Sequence, residues 1–460
     1  MRKDEKLNKL AQCGINVAQF ISVDKEDYTK AKYVNIRGRK TGELRELVEE
    51  LIRQSFYKKV NIRSFGDEIT KGNRFVMGKG IDDIDEILQI VKENAEEGRH
   101  SIINENIDVS DGGVSGVIMG NIIEFSPDDT PRCVEKEGVC SLPLDIGLKM
   151  LKKIYGFEID VPFNGDKRVE FSIHPLKQGL YSKHMIVWEY EDIPEDRKIN
   201  INTEIKFPNN FSRFLGDKVF GLLLADTLGI DVPQSTVISR RVAPFTFGKD
   251  TGSFERWLRT APVNKEAGLF YTGKGWVDPF KLVESEEKLG DKEINIASLI
   301  SQQSVESVYS GAGIVRNNKE DDIIEGTDGA GDKFMLGAEG GKELPKEIEE
   351  IVRSKFDELR GLVKILGEFT VEWVYDGVKV WVVQLNQIDG GSSRRNVIVE
   401  GGDGIEYIDF DVKDGLDKLR ELIKTVNNEG IKLIGNVGVT SHFGDLLRLH
   451  KIPSYIEKGL

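Results

Sequence analysis

Cysteine is scarce in this 460-residue sequence, with Cys13, Cys133 and Cys140 the only three. Three thiols cannot all pair, and none has the close Cys or His neighbours of a zinc site, so neither a disulfide framework nor structural zinc is indicated. No stretch reaches the roughly 18 uninterrupted apolar residues of a membrane-spanning helix. The opening Met1-Arg2-Lys3-Asp4-Glu5-Lys6 is charged rather than apolar, which speaks against a secretory signal. Positive charge is not in excess either. The formal net charge is −14, whereas affinity for nucleic acid grows from many Lys and Arg contacts. These absences point away from membrane and nucleic-acid partners and make a reducing cytoplasm the expected location. Apolar residues make up 39% and charged residues 31%, the balance of a globular protein long enough for two or three cores.

Next to these absences stands a repeat. Leu10-Ala11-Gln12-Cys13-Gly14-Ile15-Asn16-Val17 parallels Leu224-Ala225-Asp226-Thr227-Leu228-Gly229-Ile230-Asp231-Val232, Arg63-Ser64 parallels Arg259-Thr260, Ser115-Gly116-Val117 parallels Ser310-Gly311-Ala312, and Val169-Glu170-Phe171 parallels Val371-Glu372-Trp373. Four short matches in the same order at near-equal spacing indicate a tandem duplication. The expected organisation is a first copy over 1–195, a polar linker over 196–212, a second copy over 213–390 and a small C-terminal α/β unit over 391–460. Two α/β segments that merely share strand and helix patterns are the alternative.

The second copy carries the chemistry. It opens with Gly216-Asp217-Lys218-Val219-Phe220-Gly221 and, after one helix, Gly229-Ile230-Asp231-Val232-Pro233. A lysine beside a glycine at a helix start can reach a phosphate while the helix end adds partial positive charge. Arg259 can hold a phosphate through two parallel bonds. Gln302-Gln303-Ser304-Val305 and Ser310-Gly311-Ala312 read as a strand pair, and Gly329 and Gly331 begin a glycine-rich stretch reaching Gly337 in which backbone N–H groups can approach an anion. Leu344 to Leu366 has helical spacing. Phe369-Thr370-Val371-Glu372-Trp373, a turn at Asp376-Gly377, and Val380 to Asn386 then form a hairpin by alternation. On it Glu372 and Thr370 share one face, as do Gln384 and Asn386 on the partner strand. Glu372, Gln384 and Asn386 thus offer hard oxygen ligands of the kind Mg²⁺ prefers.

These motifs resemble the ATP-grasp nucleotide-binding domain of the phosphoenolpyruvate synthase and pyruvate phosphate dikinase family, whose opening is Gly-Gly-Lys-Gly and which carries Glu and Gln at the places of Glu372 and Gln384. The resemblance implies an α/β (α+β) ATP-grasp-like fold that binds ATP and Mg²⁺, with Lys218, Arg259, Gln302, Gly329, Gly331 and Gln384 around the nucleotide. Asp217, Asn386 and Gln387 depart from the pattern, which has Gly, Arg and Pro there.

Near the C-terminus, Gly438-Val439-Thr440-Ser441-His442 is followed by Arg448 and by Ile452-Pro453. This is similar to the phosphohistidine motif of the same family and implies that His442 carries a phosphoryl group. A neutral imidazole at a helix start suits that role. No barrel domain for phosphoenolpyruvate follows, so the chain alone is not expected to make it.

The first copy keeps Arg63, Ser115-Gly116 and Glu170 but has no glycine-rich counterpart of Gly329 to Gly337. It reads as a degenerate copy in which Glu170, Glu189 and Glu191 are alternative metal ligands, with His174 and His184 as surface or packing residues. The expected activity is an ATP-dependent phosphotransferase with His442, Lys218 and Arg259 as catalytic residues and an unidentified acceptor as the second partner. A ligase that forms an acyl phosphate without a histidine, and a nucleotide-binding sensor or scaffold, are the rivals.

Overall fold

The computed structural model describes residues 2–66, 74–108, 110–127, 137–159, 167–192, 205–264, 268–289, 295–331, 344–388 and 396–457. Contacts divide the chain into two units, Met1–Val139 with Glu158–Ile201, and Cys140–Phe157 with Asn202–Leu460. Both are mixed α/β and rest on antiparallel sheets. The Leu144–Tyr155 helix groups with the second unit although it lies within the first copy in sequence, and the segment beyond residue 390 groups there too. No helix among the described residues is long and apolar enough to cross a membrane.

In the first unit, one sheet runs from edge to edge through Gly38–Glu43, Lys30–Asn35, Phe20–Val23, His100–Glu105, Val60–Phe65 and Phe75–Lys79. Helices Leu44–Gln54 and Ile84–Glu96 pack on it because their apolar residues recur every three or four positions. Leu44, Leu47, Val48 and Leu51 of the one, and Ile84, Ile87 and Val91 of the other, share a buried core with Ile21, Val60, Ile62 and Ile103. The strands of the second sheet that belong to this unit run in the order Lys183–Asp192, Lys167–Gln178, Val114–Met119, Ile122–Pro127.

The second unit repeats both orders. Its counterpart of the first sheet, without the outer strand, is Phe245–Phe247, Ser235–Ser239, Ile296–Gln303, Arg256–Pro262 and Thr272–Lys274. Its counterpart of the second is Val380–Gln387, Phe369–Tyr375, Tyr309–Val315 and Ile323–Asp328. Register matches as well as order: Asn61 and Phe20 flank Asn104 as Trp257 and Ser235 flank Gln302, which puts Arg63 and Arg259 at the same place. Even the irregularity recurs. Glu170 faces Glu189 while Phe171 faces Val187, and Glu372 faces Gln384 while Trp373 faces Val382, so each hairpin carries one extra residue, Trp188 or Val383.

Local chemistry explains the hairpin in the second unit. Gly377 adopts φ +93°, and the Asp376 carboxylate accepts from the amides of Val378 and Lys379, both at 2.8 Å, which closes the turn. The expected helix over Leu344 to Leu366 divides into Lys346–Arg360 and a short Val363–Leu366 turn, with Gly361 at the break. Val352, Phe356 and Leu359 of the longer piece are buried, and Phe356 lies over Gly313, where a Cβ would collide with its ring. Ile296–Gln303 and Tyr309–Val315 are not the hairpin read from sequence. They belong to different sheets, because the intervening residues carry the chain across from one sheet to the other.

A third sheet, ordered Val397–Val399, Ser454–Glu457, Gly430–Ile434, Tyr407–Asp411, closes the second unit. The Gly415–Thr425 helix links its parallel pair Tyr407–Asp411 and Gly430–Ile434. Its core, with Leu419, Leu433 and Phe443, continues into Ile314 and Ile323 of the neighbouring sheet.

Candidate functional site

A cleft of about 470 Å³ in the second unit has walls from two sheets. Arg259 and Gln302 come from one sheet, Ser310 and Glu372 from the other, and Gly331 lies at the edge. Arg259, Gln302, Gly331 and Glu372, four of the candidate site residues from the sequence, therefore meet there. Lys218, Gly329, Gln384, Asn386 and His442 stand outside its wall among the described residues.

Gln302 is 1% exposed, and its amide nitrogen finds no acceptor among the described residues; the same holds for the buried Nε1 of Trp373 and Nε of Arg259. Each unmatched buried donor costs roughly 1–3 kcal/mol. Arg259 is held in place by its Nη1, which donates to the Val383 carbonyl at 3.2 Å. Val383 is the extra residue of the hairpin, so the irregularity gives the guanidinium its anchor.

Across the sheet, Glu325, Ala312, Glu372 and Gln384 lie directly opposite one another and share a face. Thr370 and Asn386 form the next pair along on that face. Glu372 and Gln384 are thus neighbours, with Gln384 and Asn386 buried. Lys218 lies near the start of the Asp217–Thr227 helix. Three residues on, Gly221 lets that helix approach the Leu385 carbonyl so closely that a Cβ would not fit, and residues at that spacing share a helix face. The lysine therefore heads a helix seated on the Gln384 strand.

The glycine-rich stretch is only partly a cradle. The Gly329 amide already donates to Val308 at 2.8 Å, and its carbonyl accepts from the hydroxyls of Ser307 and Ser310, both at 2.6 Å, with φ +72°. It is a turn residue. Gly331 does line the cleft, and a Cβ there would lie 2.8 Å from Ser310 Oγ. The rest of the stretch, 332–337, falls outside the described residues.

His442 is the first residue of the His442–Leu449 helix, after Ser441. Its Nδ1 is buried and lies 4.0 Å from Asp445 Oδ2. Arg448 of the same motif staples the loop instead of touching the histidine, donating to the Val439 carbonyl and to Asp445, both at 2.9 Å.

The first unit holds the equivalent positions in another state. Trp188 takes the place of Val383, and the Arg63 guanidinium lies 5.9 Å from its ring centroid. Glu189 is paired with Lys3, and Glu170 with Arg168 at 2.8 Å. Burial and the neighbouring Glu189 push the Glu191 carboxyl upward. Glu105, matching Gln303, is 3% exposed, and burial raises its carboxyl to about 7. His174 is buried rather than at the surface, sharing hydrogen bonds with Asp111 at 2.9 Å and Ser172 at 2.8 Å; Ser172 also accepts from Trp188 Nε1. This network escaped the sequence reading because Asp111 and His174 lie on separate elements with no motif between them. Asp24, Glu26 and His100 form one compact group of ligand type. There Asp24 is already paired with Arg2 at 2.8 Å, and His100 Nδ1 accepts the Lys25 amide at 3.2 Å.

No protein-family model matches the chain, and no curated protein matches it. Among solved structures, the macrocyclase MdnB from Microcystis aeruginosa MRC aligns at a TM-score of 0.23 with 12% identity, over 38% of this chain and 53% of that one. The match spans about half the length of that chain and is too distant to carry an argument.

Proposed function

We propose that the second unit is an ATP-grasp domain of the kind found in phosphoenolpyruvate synthases and pyruvate phosphate dikinases, that it binds Mg·ATP in the cleft, and that a phosphoryl group passes to His442 and on to an unidentified acceptor. One observation carries the reading: Arg259, Gln302, Gly331 and Glu372 converge on a single cleft, and buried donor atoms of Arg259, Gln302 and Trp373 find no acceptor among the described residues. A triphosphate presents the acceptor oxygens those donors need. Glu372 and Gln384 offer a carboxylate and an amide oxygen on neighbouring strands, a fit for Mg²⁺, which when bound supplies positive charge to the phosphate oxygens.

The chain's own groups then have distinct tasks. Arg259, fixed by Val383, orients the phosphates, and Lys218 adds charge from its helix start. With a proton on the buried Nδ1, the lone pair of His442 resides on Nε2. That pair attacks the terminal phosphorus, and the bond from phosphorus to the bridging oxygen breaks with its electrons remaining on ADP. Asp445 offsets the positive charge left on the ring, whose Nδ1 keeps its proton.

Calorimetric titration of Mg·ATP into the full chain tests the site. Arg259→Ala and Gln302→Ala are each expected to weaken binding by about tenfold or more, the equivalent of about 1.4 kcal/mol. No binding by the wild type, or equal binding by all three, refutes the assignment. Labelled ATP should mark His442 and leave His442→Ala unmarked. The position of His442 outside the cleft wall favours a second reading, a ligase forming an acyl phosphate, and full turnover by His442→Ala would select it.

A further inference from the structure

Glu325 shares the row that contains Glu372 and Gln384, yet its carboxylate is directed elsewhere. It accepts from the amides of Val439 at 3.1 Å and Thr440 at 2.9 Å, and from the Thr440 hydroxyl in a shorter bond. The loop is shaped for this contact, since a Cβ on Gly438 would run into the Glu325 carboxylate. Thr440 is two residues from His442. Beneath the contact, Ile314 and Ile323 share a core with Val439 and Phe443, so apolar packing brings the elements together and Glu325 fixes the orientation of the loop.

The row converts this contact into a distance. Glu325 and Glu372 are separated by one intervening strand, or about 10 Å at roughly 4.8 Å per strand. The His442 loop is therefore anchored two strand spacings from the proposed cation ligand, a span comparable with an extended triphosphate. Without the anchor, two backbone N–H groups and a hydroxyl lose an ionised acceptor, one of the stronger hydrogen-bond types.

We infer that Glu325 is a positioning residue that holds the His442 loop on the nucleotide-binding sheet so that the imidazole receives the phosphoryl group. This rests on the phosphotransfer reading above. Glu325 touches neither nucleotide nor phosphorus and acts through Val439 and Thr440.

The experiment uses the full chain as wild type, Glu325→Ala, Glu325→Gln and Thr440→Val, with native near-ultraviolet circular dichroism as the condition for including a variant. Three readouts separate placement from chemistry. Exchange of the Val439 and Thr440 amides is expected to quicken by about tenfold or more in Glu325→Ala and less in Glu325→Gln. Single-turnover labelling of His442 by Mg·ATP is expected to slow by about tenfold or more in Glu325→Ala, with Mg·ATP affinity within about twofold of wild type. Phosphoramidate, which phosphorylates imidazoles without ATP, should modify His442 equally fast in both, because the ring itself is intact. Thr440→Val loses one bond and should shift the first two readouts in the same direction by less. Unchanged amide exchange in Glu325→Ala, or labelling by ATP as fast as in the wild type, overturns the inference. A wild type that binds Mg·ATP but never labels His442 overturns the phosphotransfer reading instead, and amide exchange alone then decides whether Glu325 holds the loop.

Discussion

Glu105 makes the stability of the first unit depend on pH in a direction opposite to that of most carboxylates. Its carboxyl is 3% exposed, accepts the Gln19 amide at 2.8 Å, and is raised by burial from 4.5 to about 7. An acid with a raised folded-state value binds its proton more tightly when folded, so between 4.5 and about 7 the native state holds more protons than the unfolded chain. Its contribution to stability is therefore greatest at low pH and is lost as pH rises through that window. A shift of this size is worth about 3 kcal/mol once the group is fully ionised. Glu105→Gln keeps an acceptor for the Gln19 amide and cannot ionise. Urea denaturation near pH 8 should find the variant more stable by up to about 3 kcal/mol, and near pH 5 by less than about 1 kcal/mol. Parallel pH profiles for variant and wild type would show that the buried carboxyl is not what titrates.

Three further changes test the packing and the charge pairs. Phe356→Ala, which empties the space over Gly313, should cost about 3–5 kcal/mol in denaturant unfolding. Gly221→Val should cost at least about 1–3 kcal/mol, because the new side chain meets the Leu385 carbonyl with no room to move; in thermal unfolding it should be far worse tolerated than a valine at exposed Gly361. Lys3→Met removes one partner of the mostly buried Glu189 and should destabilise measurably in denaturant unfolding, a loss that adding Glu189→Gln should partly restore in a double-mutant cycle.

Much of the architecture was legible because it rests on periodicity. Alternation identified the Glu372 hairpin, and the short matches fall in segments whose strand orders largely correspond. The same reasoning missed the separation of Gln303 from Tyr309 into different sheets, because two strands joined by a short turn-like stretch look the same whether they pair or cross between layers. At the site, residue type and position brought Arg259, Gln302 and Glu372 to one cleft. Gly329 misled because a positive φ serves a turn as well as an anion cradle, and its amide is already spent on Val308. In sequence Glu325 merely precedes the glycine-rich stretch. Its partners lie 114 and 115 residues away, and no local pattern announces a contact of that range.

The extra residue in each hairpin marks a place where the chain can be shortened without scrambling it. Ordinarily a one-residue deletion in a strand inverts every side chain beyond it. Removing Val383 instead leaves Glu372 across from Gln384 and Trp373 across from Val382. Such a deletion would withdraw the anchor of Arg259 while sparing the proposed cation ligands, and excising Trp188 would be the matching edit in the other half.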